Sequence, residues 1–277
     1  MQTKACFVKE YLAFFRTKKF LILACVFLGW SVFSPLMIRG LGILMDFLTP
    51  IYQEFGVDVA GMTEMLGSSS SLGVLSAVSD LTGACLIVFL LLINNNAGGE
   101  QRKRSIIIPL SSGLRSVGYI FPKFVIYPLS AFVLAVFGAL ASYGISALVF
   151  AHNDVTLGGV FLAGVLAGVC LMFYVCAHVT VGTATGRAGL SAAICIVASL
   201  LIPNIFAFAS LEEMYNPFTL NLLAAKAIQL ELFSSSGPAD VFISVLIALL
   251  LMALFYFLAI FAQKAKKIDN SGNEKRI

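Results

Sequence analysis

Charged residues are scarce in this sequence, and their scarcity decides the class of protein. Only 12% of the 277 residues are charged and 60% are hydrophobic, whereas soluble domains carry about 25% charged residues. The mean hydropathy of the chain is +0.97. The composition therefore excludes an ordinary soluble domain and predicts an integral membrane protein.

The sequence also lacks the common signatures of catalysis. It contains no HExxH or GxSxG motif, no GxxxxGK[ST] nucleotide-binding loop, and only two histidines, His152 and His178. Its six cysteines form no CxxC pair, and five of them lie in apolar runs where they are expected to act as small packing residues. We therefore expect the chain not to be an enzyme and to hold no metal or cofactor. If the activity of the chain requires an energy source such as ATP, a partner protein is expected to supply it.

Long apolar runs are the main feature that is present. A helix needs about 20 residues to cross a hydrocarbon core of about 30 Å, and a helix satisfies its own backbone groups within lipid. We expect an all-α membrane protein with six transmembrane helices. The six apolar runs cover residues 20–38, 72–93, 124–150, 157–181, 189–209 and 241–262.

Lysine and arginine are distributed unevenly between the connections of these runs. Sixteen of the 18 lie in residues 1–19, in residues 94–123, at Arg187 or in the C-terminal tail, whereas Arg39 and Lys226 lie on the other side. Basic residues accumulate on the cytoplasmic side of membrane proteins, so both termini are expected in the cytoplasm. The first run is longer than a signal-peptide core and has no small-x-small cleavage site. It is therefore expected to remain as the first span.

Residues 1–19 are expected to form an amphipathic helix before the first span. A helix with one aromatic face and basic residues elsewhere is typical of segments that lie in the membrane interface. The alternative is a simple extension of the first span. The apolar residues that recur with a helical period are Phe7, Val8, Tyr11, Phe14 and Phe15.

Two outer loops are expected, at residues 39–71 and 210–240, and neither is large enough to form a separate domain. In the first loop, residues 41–55 are a candidate for a short surface helix. In the second loop, Asn216 followed by Pro217 has the pattern of an N-cap before a helix-starting proline. A helix is predicted from there to about Phe233. The chain thus divides into an interfacial helix (1–19), a six-span domain (20–263) and a basic cytoplasmic tail (264–277).

Three features inside the apolar runs are candidates for function or packing. Asp80 interrupts the second run; a carboxylate within a membrane usually belongs to a polar pathway, although a span that begins later would leave Asp80 as a cap outside it. His178 lies near the inner end of the fourth run, where a proton relay would need an acidic partner. The alternative is a hydrogen-bonded interfacial histidine. Gly164 and Gly168 form a GxxxG pattern, which predicts close helix packing within the chain or with a second copy.

The connection between the second and third runs, residues 94–123, is long for a turn. Connections commonly have about 4–6 residues, and longer ones are often functional. Basic residues surround an apolar group at Ile106–Leu110, a composition that suits a helix docking in the groove of a partner. The alternative is a solvated loop that only sets the topology.

This connection resembles that of the permeases of type-two, exporter-like ABC transporters. In those proteins a glutamate after the second span is followed by a serine or threonine, a leucine-containing segment, an arginine, and a lysine that enters the third span. The six spans, the interfacial helix and an Asn-Pro-Phe element at residues 216–218 are similar to the same family. The residues of this chain that match the pattern are Glu100, Ser105, Leu110, Arg115 and Lys123.

The resemblance implies a function and a set of partners. The chain would be the permease subunit of a bacterial ABC transporter of the exporter kind, spanning the cell membrane several times. A separate ATPase subunit would bind ATP and magnesium, and a second permease copy would complete the pathway; nucleic acid would not be a partner. Residues 94–123 would form the coupling element that docks on the ATPase, which the N-terminal helix also touches. The residues expected at this docking site are Glu100, Arg102, Arg104, Ser105, Pro109, Leu110 and Arg115.

Other functions remain open at this stage. A self-contained six-span protein, either an ion-coupled carrier or an intramembrane enzyme, would depend on Asp80 or His178. A membrane assembly or immunity factor would bind a partner without transporting anything. For a transporter, the apolar spans and small outer loops favour peptides, drugs or lipids over large polar polymers as the substrate.

Overall fold

The computed structural model of the protein describes residues 2–54, 69–94, 98–100, 115–152, 154–208, 216–229 and 238–273. Helices account for nearly all of these residues, and no strand occurs among them. In chain order the elements are α1 (Gln2–Arg16), α2 (Lys19–Glu54), α3 (Ser70–Asp80), a π-helical turn (Leu81–Cys85), α4 (Leu86–Asn94), α5 (Ser116–Val149), α6 (Leu157–Thr185), α7 (Ala188–Phe208), a 3-10 turn (Pro217–Thr219), α8 (Leu220–Ile228) and α9 (Pro238–Asn273).

Among the described residues, six helical stretches are long and apolar enough to cross a membrane, the number that the sequence predicts. They are α2, the continuous stretch from α3 through the π-helical turn to α4, and then α5, α6, α7 and α9. We number them spans one to six. In the most apolar 18 residues of span four, 72% of the residues are buried, whereas the corresponding share in spans five and six is 22% each. Span four therefore forms the centre of the bundle, and spans five and six present most of their surface outward.

α1 is a helix of its own rather than an extension of span one. Lys18 adopts a left-handed backbone conformation with φ 60°, and its N–H donates to the carbonyl oxygen of Phe15 at 3.2 Å. This turn ends α1 and lets α2 start in a new direction. The location of α1 in a membrane interface stays a prediction.

Span one extends further than its apolar run indicates. The run ends at Ile38, but α2 continues through Pro35 and Pro50 to Glu54. Residues 39–54 are therefore helical and continue α2 without a break, where the sequence indicated a loop with a candidate surface helix over 41–55. A charged residue such as Arg39 ends an apolar run without ending a helix, because helical backbone hydrogen bonds do not depend on side-chain polarity.

Span two changes its helix type halfway. α3 ends at Asp80, the π-helical turn Leu81–Cys85 follows, and α4 continues to Asn94. Asp80 is the eleventh residue of a continuous stretch of 25 residues, which places it about 15 Å from the end at a rise of about 1.5 Å per residue. Asp80 therefore lies within the helix and does not cap the helix from outside, and its depth in a membrane stays a prediction. Single π-helical turns occur frequently at functional sites.

Spans three and four pack closely through the predicted GxxxG pattern. A Cβ on Gly164 would lie 3.0 Å from the Cβ of Ala139, and a Cβ on Gly168 would lie 2.7 Å from the ring of Phe132. Only a glycine allows the two helices to approach this closely. The pattern therefore serves packing within the chain.

A short helix outside the six spans is buried against the bundle. Asn216 caps it as predicted, because the Asn216 side chain accepts a hydrogen bond from the N–H of Phe218 at 3.0 Å. Pro217 then begins the 3-10 turn that leads to α8, which ends at Ile228 rather than near residue 233. The side chains of Leu220 and Ile228 are fully buried, and α8 packs on α6 and α3. This part of the second outer loop is therefore part of the core.

Asp154 ties the turn between spans three and four to the start of span two. Its carboxylate accepts hydrogen bonds from Ser69 Oγ at 3.1 Å, from the Ser70 hydroxyl, and from the Ser71 N–H at 3.0 Å. Burial raises the pKa of Asp154, but these hydrogen bonds outweigh it and hold the pKa below its ordinary value. Asp154 thus acts as an N-terminal cap of α3 that is supplied by another part of the chain.

Replacing Asp154 by alanine is expected to lower the free energy of unfolding by about 1 kcal/mol, the typical value of an N-cap. Because the folded pKa is depressed, this contribution is present above the ordinary carboxyl pKa and is lost as the pH falls below it. Unfolding of the purified chain by SDS titration at neutral pH measures the change. Asp46→Ala removes an exposed carboxylate of α2 and serves as the control. Equal stability of the two variants would contradict the capping role.

Candidate functional site

A cluster of charged residues joins three parts of the chain on the side of the protein that carries α1. Lys123 of α5 has 1% of its side chain exposed, and its Nζ lies 2.6 Å from Glu100 Oε2 and 3.5 Å from Glu10 Oε1. Lys9 Nζ lies 3.2 Å from Glu100 Oε1. We name Lys9, Glu10, Glu100 and Lys123 the charge cluster. It connects α1, the segment that leaves span two, and the first turns of span three.

Two tyrosines of span three complete the bonding of the two carboxylates. The Tyr119 hydroxyl donates to Glu100 Oε2 at 2.6 Å, and the Tyr127 hydroxyl donates to Glu10 Oε2 at 2.7 Å. The ammonium group of Lys123 also lies over the Tyr119 ring, 4.5 Å from its centroid. Buried charges are tolerated when they are both paired and hydrogen-bonded. Each carboxylate of the cluster therefore has a cation and a hydroxyl as partners.

The surroundings of Glu100 favour its ionised form. Burial raises its pKa, but the adjacent Lys123, the hydrogen bonds from Lys123 and Tyr119, and the charge of Lys9 outweigh burial and lower the pKa to about 2. The stability that Glu100 contributes is present above the ordinary carboxyl pKa and is lost as the pH falls towards about 2. Glu100 therefore stays ionised throughout the physiological pH range.

The spacing of residues on α1 turns Glu10 towards the protein. Phe7, Glu10 and Phe14 lie at i, i+3 and i+7 on one helical face; Phe14 is fully buried and Phe7 is partly buried against the core. The predicted aromatic stripe is therefore divided, because Tyr11 and Phe15 are 46% and 37% exposed. This second face is the part of α1 that is available to lipid.

Gly98 holds the segment that leaves span two against the turn between spans four and five. A Cβ on Gly98 would lie 2.8 Å from the backbone nitrogen of Ala188 and 3.1 Å from the carbonyl oxygen of Gly182. Gly186 forms that turn in a left-handed conformation with φ 66°, which favours glycine. The segment is therefore fixed at Gly98 by spans four and five, and at Glu100 by α1 and span three.

Replacing Gly98 by alanine is expected to lower the free energy of unfolding by about 1–3 kcal/mol, because the new methyl group meets backbone atoms that cannot rotate away. Gly144→Ala is the matched control, since a Cβ there meets nothing within 4 Å and alanine is the better helix former. SDS unfolding of both variants measures the difference. The close approach is contradicted if the Gly98 variant is as stable as the Gly144 variant.

The structure describes two of the docking residues that the family resemblance implies. Glu100 belongs to the charge cluster, and Arg115 is exposed at the residue before α5. α5 begins at Ser116, so the end of the predicted connection is helical and carries Lys123 inside span three. The docking residues that lie outside the described residues are Arg102, Arg104, Ser105, Pro109 and Leu110.

Asp80 and His178, the candidates inside the membrane, differ in their bonding. Asp80 accepts a hydrogen bond from Ser34 Oγ of span one at 2.6 Å. His178 is fully buried beside the backbone of Ser191, yet neither ring nitrogen has a hydrogen-bond partner within the described part of the chain. The role of a hydrogen-bonded interfacial histidine therefore stays a prediction. Within the described ranges, no three potential ligands are grouped to hold a metal ion.

Neither the models of known protein families nor the curated proteins give a match to this chain. The arguments for its function therefore come from the charge cluster, the spans and the sequence itself. Sequence reasoning treated Lys123 only as part of a family pattern and did not assign a role to Lys9, Glu10, Tyr119 or Tyr127.

Proposed function

We propose that the chain is the transmembrane permease subunit of a bacterial ABC exporter. It would pair with a second permease copy and dock on a separate ATPase subunit, which would bind ATP and magnesium. The charge cluster is the observation that carries the proposal. It joins the candidate docking segment to the helices that such a subunit would have to move.

The bonding of the segment after span two makes it suitable for transmitting movement. Gly98 and Glu100 attach its start to spans three, four and five and to α1, and α5 begins one residue after Arg115. A displacement of residues 101–114 would therefore act on several helices together. A flexible loop attached only at its two ends would absorb the same displacement.

Docking alone does not drive a change of conformation. An ATPase that opens and closes would shift the spans only if it binds the inward-open and outward-open states with different free energy. The charge cluster provides a connection through which such a difference would reach the spans. The sequence contains no GxxxxGK[ST] motif, so ATP hydrolysis is assigned to the partner.

An ion-coupled carrier is the second candidate function, and the position of Asp80 inside span two favours it. Carboxylates within membranes often serve ion or proton pathways. A self-contained carrier would work without any ATPase and would stop working when Asp80 is replaced by asparagine. The two candidates therefore differ in their dependence on a partner.

Co-purification tests the permease proposal. The tagged full-length chain, extracted from its native membrane in mild detergent, is expected to bring down a soluble chain that contains GxxxxGK[ST]. Leu110→Asp is expected to reduce this recovery by about tenfold or more, because a charge replaces an apolar docking residue at a cost of about 2 kcal/mol or more. Leu148→Asp introduces the same charge at the opposite end of span three, where the leucine is 83% exposed. It is expected to leave the recovery unchanged.

The proposal fails if the wild-type chain recovers no ATPase. The docking assignment alone fails if an ATPase is recovered equally well by the wild type and by Leu110→Asp.

A further inference from the structure

Span two carries a small polar face around Asp80, the eleventh of its 25 residues. Ser79 is exposed, and Asp80, Thr82 and Gly83 are partly exposed, next to the π-helical turn. The residues of span two that face the bundle here are apolar, with Ala77, Val78 and Leu81 buried. A carboxylate that faces lipid is costly. The polar face therefore needs an occupant other than hydrocarbon.

The hydrogen bonding of Asp80 is incomplete. The Ser34 hydroxyl lies 2.6 Å from Asp80 Oδ2 and 3.0 Å from the carbonyl oxygen of Trp30, but a hydroxyl has only one hydrogen to donate. Asp80 therefore competes with the backbone for its one donor. Among the described residues, Asp80 has no ion pair, and Oδ1 accepts no hydrogen bond.

The contrast with the charge cluster shows what is missing at Asp80. Glu10 and Glu100 each have a lysine within 3.5 Å and a tyrosine hydroxyl within 2.7 Å. Asp80 has a shared hydroxyl and no cation from the described part of the chain. A partly exposed carboxylate, with one oxygen that accepts no hydrogen bond and no counter-charge among the described residues, is complementary to a cation.

Aromatic residues and open space accompany the carboxylate. Trp30 and Phe33 lie on span one within one turn of Ser34; they are 41% and 52% exposed, with ring centroids 6.3 Å apart. Aromatic faces attract organic cations. On span two, a Cβ on Gly83 would meet nothing within 4 Å. The surroundings thus suit an apolar molecule with a positive charge better than a small hydrated ion.

We propose that Asp80 is the counter-charge of a binding site for lipophilic organic cations, and that such cations are the substrate class of this chain. The substrate assignment rests on the proposed transport function, whereas the binding site does not. Asp80 pairs with the positive group, Ser34 orients the carboxylate, and Trp30 with Phe33 offers an aromatic surface for the apolar part. No ATPase is needed for binding.

Two probes of equal shape and opposite charge test the site. The full-length chain in phosphatidylcholine liposomes is titrated with tetraphenylphosphonium and, separately, with tetraphenylborate. Asp80→Asn is expected to weaken the binding of the cation by about tenfold or more, because it removes the charged partner, and to leave the binding of the anion unchanged. Asp80→Glu is expected to retain cation binding. Asp46→Asn, which removes an exposed carboxylate of α2, is expected to bind like the wild type.

A second measurement needs no substitution. Trp30 is the only tryptophan, so the cation is expected to change its fluorescence in the wild-type chain at concentrations at which the anion does not. The proposal is overturned if Asp80→Asn binds the cation as tightly as the wild type, or if both probes change the emission of Trp30 equally. Equal changes in Trp30 emission with both probes would instead indicate that this face is an interface between two copies of the chain. No ATPase takes part in these binding experiments. A negative result for the cation site therefore does not affect the permease proposal, and a negative co-purification result does not affect the cation site.

Discussion

Replacing Lys123 by methionine is expected to lower the free energy of unfolding by about 3–5 kcal/mol, the usual cost of removing one partner of a buried ion pair. Methionine fills a similar volume, so the loss comes from charge rather than from packing. Glu10 and Glu100 would both lose their buried cation, and Glu10 is itself only 4% exposed. SDS unfolding of the purified chain at neutral pH measures the effect.

A rescue experiment separates charge from shape at this position. Combining Lys123→Met with Glu10→Gln and Glu100→Gln is expected to recover most of the lost stability, because the uncompensated carboxylates are then neutral. Lys264→Met removes an exposed lysine of α9 and is expected to change the stability little. If Lys123→Met is no more harmful than Lys264→Met, the charge cluster does not hold these elements together.

Replacing Glu100 by glutamine is expected to uncouple the partner from the spans while leaving the partner bound. The glutamine can still accept a hydrogen bond from Tyr119, but it loses the charged contacts to Lys123 and Lys9. Hydrogen bonds to charged groups contribute about 1.5–3 kcal/mol, so ATP-driven movement of the spans is expected to fall by about tenfold to a hundredfold.

Glu100→Gln and Leu110→Asp are therefore expected to fail in different ways. The first keeps the recovery of the ATPase in co-purification but loses its effect on the spans, whereas the second loses the ATPase itself. Lys264→Met again serves as a charge-removing control, and it is expected to alter neither the recovery of the ATPase nor the ATP-driven movement of the spans. If Glu100→Gln loses the partner as completely as Leu110→Asp, Glu100 belongs to the docking surface and does not transmit movement.

The architecture was largely predictable from the sequence because a membrane imposes it. Each span needs about 20 apolar residues, and apolar runs of that length are separated here by charged or turn-forming residues. Span one shows the limit of this reasoning. Hydropathy locates the part of a helix that crosses lipid, but it does not locate the end of the helix. The candidate surface helix over 41–55 is therefore a continuation of α2, which ends at Glu54.

The charge cluster was much harder to predict than the spans. Glu10 and Lys123 are 113 residues apart in the chain, and no periodic pattern connects them. The one local signal was the placement of Glu10 between Phe7 and Phe14 at helical spacing, although the sequence interpretation placed Glu10 away from the aromatic face. An acidic residue on an apolar face indicates a buried partner, but only the packing of α1 on α5 shows that the partner is Lys123.

The packing of Gly98 illustrates a second kind of feature that the sequence conceals. It precedes Gly99 and Glu100 in a polar stretch, where a glycine would usually indicate flexibility. Its contact with the turn at Gly182 and Ala188 depends on the relative position of spans two, four and five. Gly164 and Gly168 were easier to interpret, because their spacing along one helix already predicts close packing.

The central claim is that a partner ATPase moves the spans through the charge cluster, and a distance between two copies tests it most directly. Spin labels are placed at residue 148, where Leu148 is 83% exposed at the end of span three. Cys6 and Cys25, the cysteines that are not buried, are replaced by serine. Pulsed electron spin resonance then measures the distance between the labels in the complex, with and without ATP and magnesium.

ATP with magnesium is expected to shift this distance in the wild-type complex and to leave it unchanged in Glu100→Gln, although the ATPase is bound in both. The account is contradicted if ATP leaves the wild-type distance unchanged, or if it shifts the Glu100→Gln complex by the same amount.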